Sequence, residues 1–293
     1  MPSTPDGLTL TPAPNATFTG MVPALVTLEQ HGPAAVVTLR RPDVLNAFTH
    51  PMLAELERAV ADAVDDRDVV GVVITGEGRG FCSGLDATTL ASTTDAGSSA
   101  RHIPEPDELP GLFSYLMEQP KPIIAAVNGV AGGGGFVLAT KCDLRFASTE
   151  ASFVTVFSRR GLIAEHGLTW LLPRLIGTGD ALDLLWSSRK IDAAEAYRIG
   201  LVQRIVPADD LVDDAVRYIT DLADTVSPAS MRDTKRLAYR HLGIDRQQAF
   251  VEADEATWAA LDRPDATEGV ASLLERRPPS FERLGGVDTS VPT

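Results

Sequence analysis

Two nearly unbroken apolar runs of strand length, Val69-Val70-Gly71-Val72-Val73-Ile74-Thr75 and Pro122-Ile123-Ile124-Ala125-Ala126-Val127, constrain this chain more than any other feature. A strand with apolar side chains on both faces must be covered on both, the condition of a parallel sheet sandwiched between other layers. Each run leads into glycines. The second continues into a helical stretch and then a third strand candidate at 143–147. Strands alternating with helices predict an α/β fold with a largely parallel sheet.

The remaining pattern fits around that sheet. Short β-branched runs at 25–28 and 35–39, separated by His31-Gly32-Pro33, predict a hairpin. Thr49 as N-cap, Pro51 in the first turn, and Leu53, Leu56, Val60 and Val64 at helical spacing predict a helix over 50–65. A short strand is expected at 201–206. From Thr178 onward the periodicity is otherwise helical: 180–188, 192–199, 209–225, 228–242, 246–261 and 265–277. Residues 1–22, rich in Pro, Thr and Gly, predict a flexible lead-in. The segment 91–110 has few large apolar residues and predicts a lid or a disordered loop. This divides the chain into 1–22, a core over 23–206, and a helical C-terminal region over 207–293.

Charge and cysteine content exclude several classes. Of 293 residues, 26 are Lys or Arg and 40 are Asp or Glu, a net charge of −14. A protein that neutralises a nucleic-acid backbone carries a basic stripe, so nucleic acid is not an expected partner. A small anion remains compatible, because backbone N–H groups and a few arginines reverse the field locally. Two cysteines, Cys82 and Cys142, make no disulfide framework and fit no zinc spacing. No metal site is expected. No run reaches the roughly 18 apolar residues of a membrane span, and the first residues lack a basic, apolar leader, so the expected location is the cytoplasm.

The glycine segments carry the chemistry. Gly76-Glu77-Gly78-Arg79-Gly80 misses the dinucleotide spacing, and 132–135 lacks the Lys-Ser/Thr ending of a phosphate loop. Gly80-Phe81-Cys82-Ser83-Gly84 has the letters of a nucleophile elbow, but a glycine loop separates it from the strand, so Cys82 reads as a small buried hydrophobe. What the segments share is their place after buried strands, where glycine lets a backbone approach a ligand closely. Four glycines running into Phe136-Val137-Leu138-Ala139 would present free amides at a helix start, which suits an oxyanion.

With those residues in view, the chain resembles the crotonase (enoyl-CoA hydratase/isomerase) superfamily. The resemblance rests on Arg41-Pro42-Asp43-Val44-Leu45-Asn46-Ala47, Gly80-Phe81-Cys82-Ser83-Gly84-Leu85-Asp86, Ala126-Val127-Asn128-Gly129 with Gly133-Gly134-Gly135, and Cys142-Asp143. Further matches are Asp192-Ala193, Gly200-Leu201-Val202, Val206-Pro207 and Pro278-Pro279-Ser280-Phe281, so it spans roughly 25–285. It implies a crotonase-like spiral of ββα units, a helical C-terminal trimerisation region, and a homotrimer or dimer of trimers. The implied substrate is an acyl-CoA thioester, with coenzyme A part of the substrate and no separate cofactor. Residue by residue, the resemblance assigns the oxyanion hole to the N–H groups of Leu85 and Gly134. It assigns CoA contacts to Val44, Ser83, Leu85 and Asp86, with Arg40, Arg41 and Arg79 as candidates for the phosphates. Arg276 or Arg277 would reach a neighbouring subunit's CoA.

The sequence departs from the hydratase pattern at one point. Where hydratases of that family carry two glutamates that activate water, the matching positions hold Val137 and Phe157. The stretch Arg159-Arg160-Gly161-Leu162-Ile163-Ala164-Glu165-His166-Gly167 instead resembles enoyl-CoA isomerases with a single glutamate, which makes Glu165 the expected base. Burial beside Leu162, Ile163 and Trp170 is expected to raise its pKa toward operating pH. Glu165 could otherwise pair with Arg159 or Arg160, or cap the helix beginning near Gly167. His166 could carry a proton or orient Glu165. One-base isomerisation is thus the leading expectation. The alternatives are a hydratase or acyl-CoA hydrolase in which Glu165 activates water, and a non-catalytic acyl-CoA binding protein.

Overall fold

The computed structural model describes residues 24–96 and 109–285. The 1–22 lead-in and most of the 91–110 segment fall outside these residues. The expected hairpin is present as β1 (Val26–His31) and β2 (Ala34–Leu39), antiparallel with Val26 opposite Leu39. The expected helix is α1 (His50–Asp65), burying Met52, Leu56, Val60, Ala63 and Val64. The two apolar runs form β3 (Gly71–Gly76) and β5 (Ile123–Val127), and the third candidate forms β7 (Leu144–Ser148).

Four shorter strands were not readable in advance. They are β4 (Gly80–Cys82), β6 (Val130–Gly132), β8 (Ser152–Val154) and β9 (Ile191–Asp192). Together with β10 (Arg204–Val206) they complete two sheets. One has six strands in the order β1-β2-β3-β5-β7-β10, parallel from β2 onward. The other has four, β4-β6-β8-β9. β3, β5 and β7 of the first sheet are each followed, after a corner of two or three residues, by a short strand of the second, so β3–β4, β5–β6 and β7–β8 climb as successive turns of a spiral.

Asparagine side chains hold one of these corners. Asn46, fully buried, donates through Nδ2 to Glu77 O at 3.0 Å and Gly80 O at 2.8 Å, and accepts from Arg41 N at 2.8 Å. Asn128 donates to Gly78 O at 2.8 Å and accepts from Gly76 N at 3.2 Å. Backbone groups that a corner removes from the sheet ladder are thereby satisfied.

Helices fill the remaining layers: α2 (Ala87–Ala96), α3 (Tyr115–Glu118), α4 (Gly134–Lys141), α5 (Leu168–Ile176), α6 (Thr178–Ser187) and α7 (Ala193–Arg198). The C-terminal set is α8 (Leu211–Thr225), α9 (Pro228–His241), α10 (Arg246–Leu261) and α11 (Pro264–Glu275). The alternation of the buried strands explains why both faces are apolar. Val36, Val73, Ile124, Ala126 and Phe146 pack with Leu211, Ala215 and Ile219 of α8, whereas Val37, Leu39, Val72, Ile74, Ala125 and Val127 join the larger core with α1 and α4.

Asp143, at the start of β7, ties α9 to this frame. Its carboxylate accepts from Ile123 N at 2.7 Å, Lys235 Nζ at 2.7 Å and Tyr239 Oη at 3.0 Å. Tyr239→Phe removes one hydrogen bond to a charged group and is expected to cost about 1.5–3 kcal/mol, read by urea denaturation.

Candidate active site

Leu85 lies one residue beyond a tight approach between two turns of the spiral. It forms an isolated parallel bridge with Phe48: Phe48 N donates to Gly84 O at 2.7 Å, and Asp86 N donates to Phe48 O at 2.8 Å. In a parallel ladder such bonds engage the neighbours of the bridged residue, so its own N–H faces the other way. Leu85 N–H has no acceptor among the described residues.

On that other side stands the start of α4. Gly84 has φ +100°, and a Cβ there would lie 2.8 Å from Gly132 O and 3.1 Å from Gly134 N. Only glycine permits this approach. A Cβ at Gly134 would in turn sit 3.8 Å from Leu85 N. Gly134 opens α4, and the N–H groups of a first turn have no intrahelical acceptor. Gly133 N donates to Val154 O at 3.0 Å, while Gly134 N–H has no acceptor among the described residues. The structure thus brings the two expected amides into one small space, both without acceptors among the described residues.

The remaining CoA candidates surround this point unevenly. Ser83 Oγ donates to Val44 O at 3.1 Å and Ser83 N donates to Leu45 O at 2.9 Å, so Val44 and Ser83 are neighbours. Arg41 spans from one loop to the other, with Nη1 on Ala47 O and Nη2 3.1 Å from Asp86 Oδ2. Hydrogen bonds from Thr88, reinforced by Arg41, hold the Asp86 carboxyl below its usual range. Arg41 therefore has a structural duty. Arg40 pairs with Glu77 at 3.0 Å, and Arg277 is engaged by Glu268 and Glu275. Arg276 ends α11 in a left-handed conformation. Arg79 is exposed and makes no ion pair among the described residues. Cys82 is fully buried, and desolvation pushes its thiol far above the ordinary value, the opposite of an activated nucleophile.

Glu165 sits in the segment between β8 and α5, after a single 3-10 turn at Ser158–Arg160. Neither of the structural roles open to it is realised. The N-cap of α5 is Gly167 with no side-chain cap, and the Glu165 carboxylate accepts no hydrogen bond among the described residues. Arg159 instead donates to Ser187 O at 3.2 Å. The nearest cationic candidate is His166, with Nε2 3.8 Å from Glu165 Oε2. Partial burial raises the Glu165 pKa, opposed by the charge of Arg160. The source of that burial differs from expectation: Leu162, Ile163 and Trp170 are themselves exposed, Ile163 by 81%. They turn outward because the chain reverses at Gly161 (φ +71°) and again at His166 and Gly167. Val137 and Phe157 are both buried and apolar.

Two contacts of this segment were invisible to sequence reasoning. Leu112 N donates to His166 Nδ1 at 3.2 Å. Lys141, at the end of α4, is buried without a carboxylate partner among the described residues; its Nζ lies 3.7 Å from Met117 Sδ and reaches toward Gly167. A lysine closing a helix gives no sequence signal of burial, and a backbone donor gives none at all.

Two sheets wound as a ββα spiral, with paired glycine turns facing one another, define the crotonase fold. The Enoyl-CoA hydratase/isomerase family model matches residues 29–284, and the chain belongs to that family. The probable enoyl-CoA hydratase echA8 of Mycobacterium tuberculosis (strain CDC 1551 / Oshkosh) is 32% identical over 256 residues, covering 87% of this chain and 97% of the relative. The 1,2-epoxyphenylacetyl-CoA isomerase of Escherichia coli (strain K12) is 32% identical over 250 residues, covering 84% of this chain and 93% of that protein. Among solved structures, a putative enoyl-CoA hydratase from Streptomyces coelicolor A3(2) superposes with a TM-score of 0.79 at 34% identity, covering 94% of this chain and 98% of the other. No helix of the described residues is long and apolar enough to cross a membrane.

Proposed function

We propose that this family member isomerises an enoyl-CoA thioester with one base. The N–H groups of Leu85 and Gly134 hold the thioester oxygen, and Glu165 removes a proton from C2 of a 3-enoyl-CoA and returns it at C4. The electron pair of the broken C–H bond passes into the thioester as a dienolate and comes back when C4 is protonated, so no atom is gained or lost. Fixed amides suit the developing charge because they need not reorganise as it forms. The observation that carries this reading is the Glu165 carboxylate itself, which accepts no hydrogen bond among the described residues and whose pKa is raised by partial burial. Val137 and Phe157, aligned by resemblance with the hydratase glutamates, supply no second proton carrier.

Product mass decides the reaction. An isomerase converts a 3-enoyl-CoA to a product of unchanged mass, and a gain of one water on a 2-enoyl-CoA would replace this reading with hydration. We also propose a homotrimer or a pair of trimers as the working form. Among the described residues, α10 buries no side chain, and Phe250, Trp258, Leu273 and Leu274 of α10 and α11 are exposed. An apolar face of this kind calls for a partner surface. Light scattering after size exclusion is expected to give three or six chain masses; a monomer at micromolar concentration would overturn the assembly.

A further inference from the structure

His166 occupies a left-handed backbone position, φ +56°, which a β-carbon ordinarily disfavours. Its ring is fixed from one side, because Leu112 N–H donates to Nδ1 at 3.2 Å. The main chain supplies the hydrogen in that bond, so Nδ1 must present a lone pair. An imidazolium has hydrogens on both nitrogens and would set two N–H groups against each other. A neutral ring with a lone pair on Nδ1 carries its hydrogen on Nε2, and Nε2 is the atom 3.8 Å from Glu165 Oε2.

The surroundings favour the same state. Lys141 faces the ring from α4 with a buried ammonium, and burial together with that charge pushes the His166 pKa below its ordinary value. From its own segment the ring meets the Glu165 carboxylate, with Arg160 further back. From 109–113 Leu112 N–H meets the ring, and Gly111 packs on its stem, where a Cβ would lie 3.0 Å from His166 Cα. The strained backbone and close packing describe a side chain held in place rather than one turned to solvent.

We propose that His166 is a positioning residue: a neutral imidazole, locked by Leu112 N–H in its Nε2–H form, that aims the Glu165 carboxylate and donates to it when substrate displaces water. The inference rests on Glu165 being the base. A neutral donor stabilises the carboxylate without taking its proton, so the proton remains on Glu165 for return to C4. It also opposes the desolvation that raises the Glu165 pKa.

Two measurements test this. In long-range 1H–15N correlation spectra of the 15N-histidine-labelled protein, His166 is expected to show the Nε2–H tautomer at neutral pH; an imidazolium or the Nδ1–H tautomer would overturn the proposal without any assay of turnover. In kinetics, the informative variant is His166→Asn. Asparagine tolerates the left-handed backbone and offers Leu112 N–H an acceptor, but it has no group that reaches Glu165. It is expected to melt with the wild type, to lose about 10- to 100-fold in kcat, the value of a hydrogen bond to a charged group, with KM little changed. The acid limb of its pH–rate profile is expected to move to higher pH. His166→Gln, whose amide lies near the Nε2 position, is expected to recover part of both effects. A His166→Asn enzyme with the wild-type profile, beside an inactive Glu165→Gln enzyme, would overturn the positioning role alone. An active Glu165→Gln enzyme would overturn the base, and this role with it, whatever the tautomer.

Discussion

Glu165→Gln is expected to lower kcat on a 3-enoyl-CoA by about 10²–10⁴-fold, the range for losing a general base, while a saturated acyl-CoA still binds with nearly the wild-type Kd. Glutamine keeps the size of the side chain and removes only its ability to accept the proton. The same substitution reads out in stability with a sign opposite to that of most mutations. Folding raises the Glu165 pKa because burial disfavours the charged form. The cost of burying that charge is present in full above the folded-state pKa and disappears below the ordinary carboxylate value of about 4.3. Glu165→Gln is therefore expected to melt at or above the wild-type temperature at neutral pH, with the difference vanishing in acid. Lost turnover with unchanged or improved stability marks a residue kept for chemistry. Undiminished turnover would remove Glu165 from the mechanism. In the wild type, activity is expected to fall as pH drops through the raised Glu165 pKa, since the base must be ionised to act.

Gly134→Pro is expected to lower kcat by about 10²–10³-fold, corresponding to about 2.7–4 kcal/mol for the loss of one oxyanion donor. Proline is well suited to the first position of a helix, where its missing N–H has no intrahelical partner. A β-carbon at Gly134 meets only ordinary contacts, 3.6 Å to Gly84 Cα and to Phe48 Cδ2. The substitution therefore deletes one hydrogen-bond donor while leaving α4 intact, and circular dichroism with a thermal melt checks that it has done so. Its ring also occupies the space of the lost hydrogen, so the quoted loss is the smaller end of the expected effect. Wild-type turnover in a folded Gly134→Pro enzyme would show that this amide does not hold the oxygen. Gly84→Ala offers a contrasting perturbation, since its Cβ would press on Gly132 O and Gly134 N and force the two turns apart. There both stability and turnover are expected to fall together.

How far the sequence revealed this arrangement depended on how each feature is encoded. β3 and β5 were legible because two covered faces demand apolar residues at every position, and α1 because Leu56, Val60 and Val64 recur at helical spacing. The second sheet was not, since three residues such as Gly80–Cys82 are too few to show a period. α5 was legible only at its start near Gly167, and its extent was not, for a related reason: nine residues with Pro173 inside give a weak helical signature. The glycines at 84 and 132–135 did point to a close backbone approach, because excluding a side chain is itself a sequence signal. Hydrogen bonds from main-chain atoms leave no such trace. Leu112 meets His166 across 54 positions through a group that every residue but proline possesses. The outward orientation of Leu162, Ile163 and Trp170 was likewise hidden, being set by the left-handed positions around them rather than by their own character.

The two amides and the carboxylate are anchored very differently. Leu85 and Gly134 belong to turns pressed together at Gly84, where a Cβ would lie 2.8 Å from Gly132 O, beside the corner that Asn46 and Asn128 hold through Gly80 O. Glu165 lies on an excursion bounded by left-handed positions at Gly161 and Gly167, with exposed neighbours on one side. On the proposed reading, such a scaffold separates a tightly packed pair of amides from an acid–base group carried on an open excursion. With those proposed roles, revising a handful of positions on the excursion would exchange the acid–base group while leaving the two amides in place.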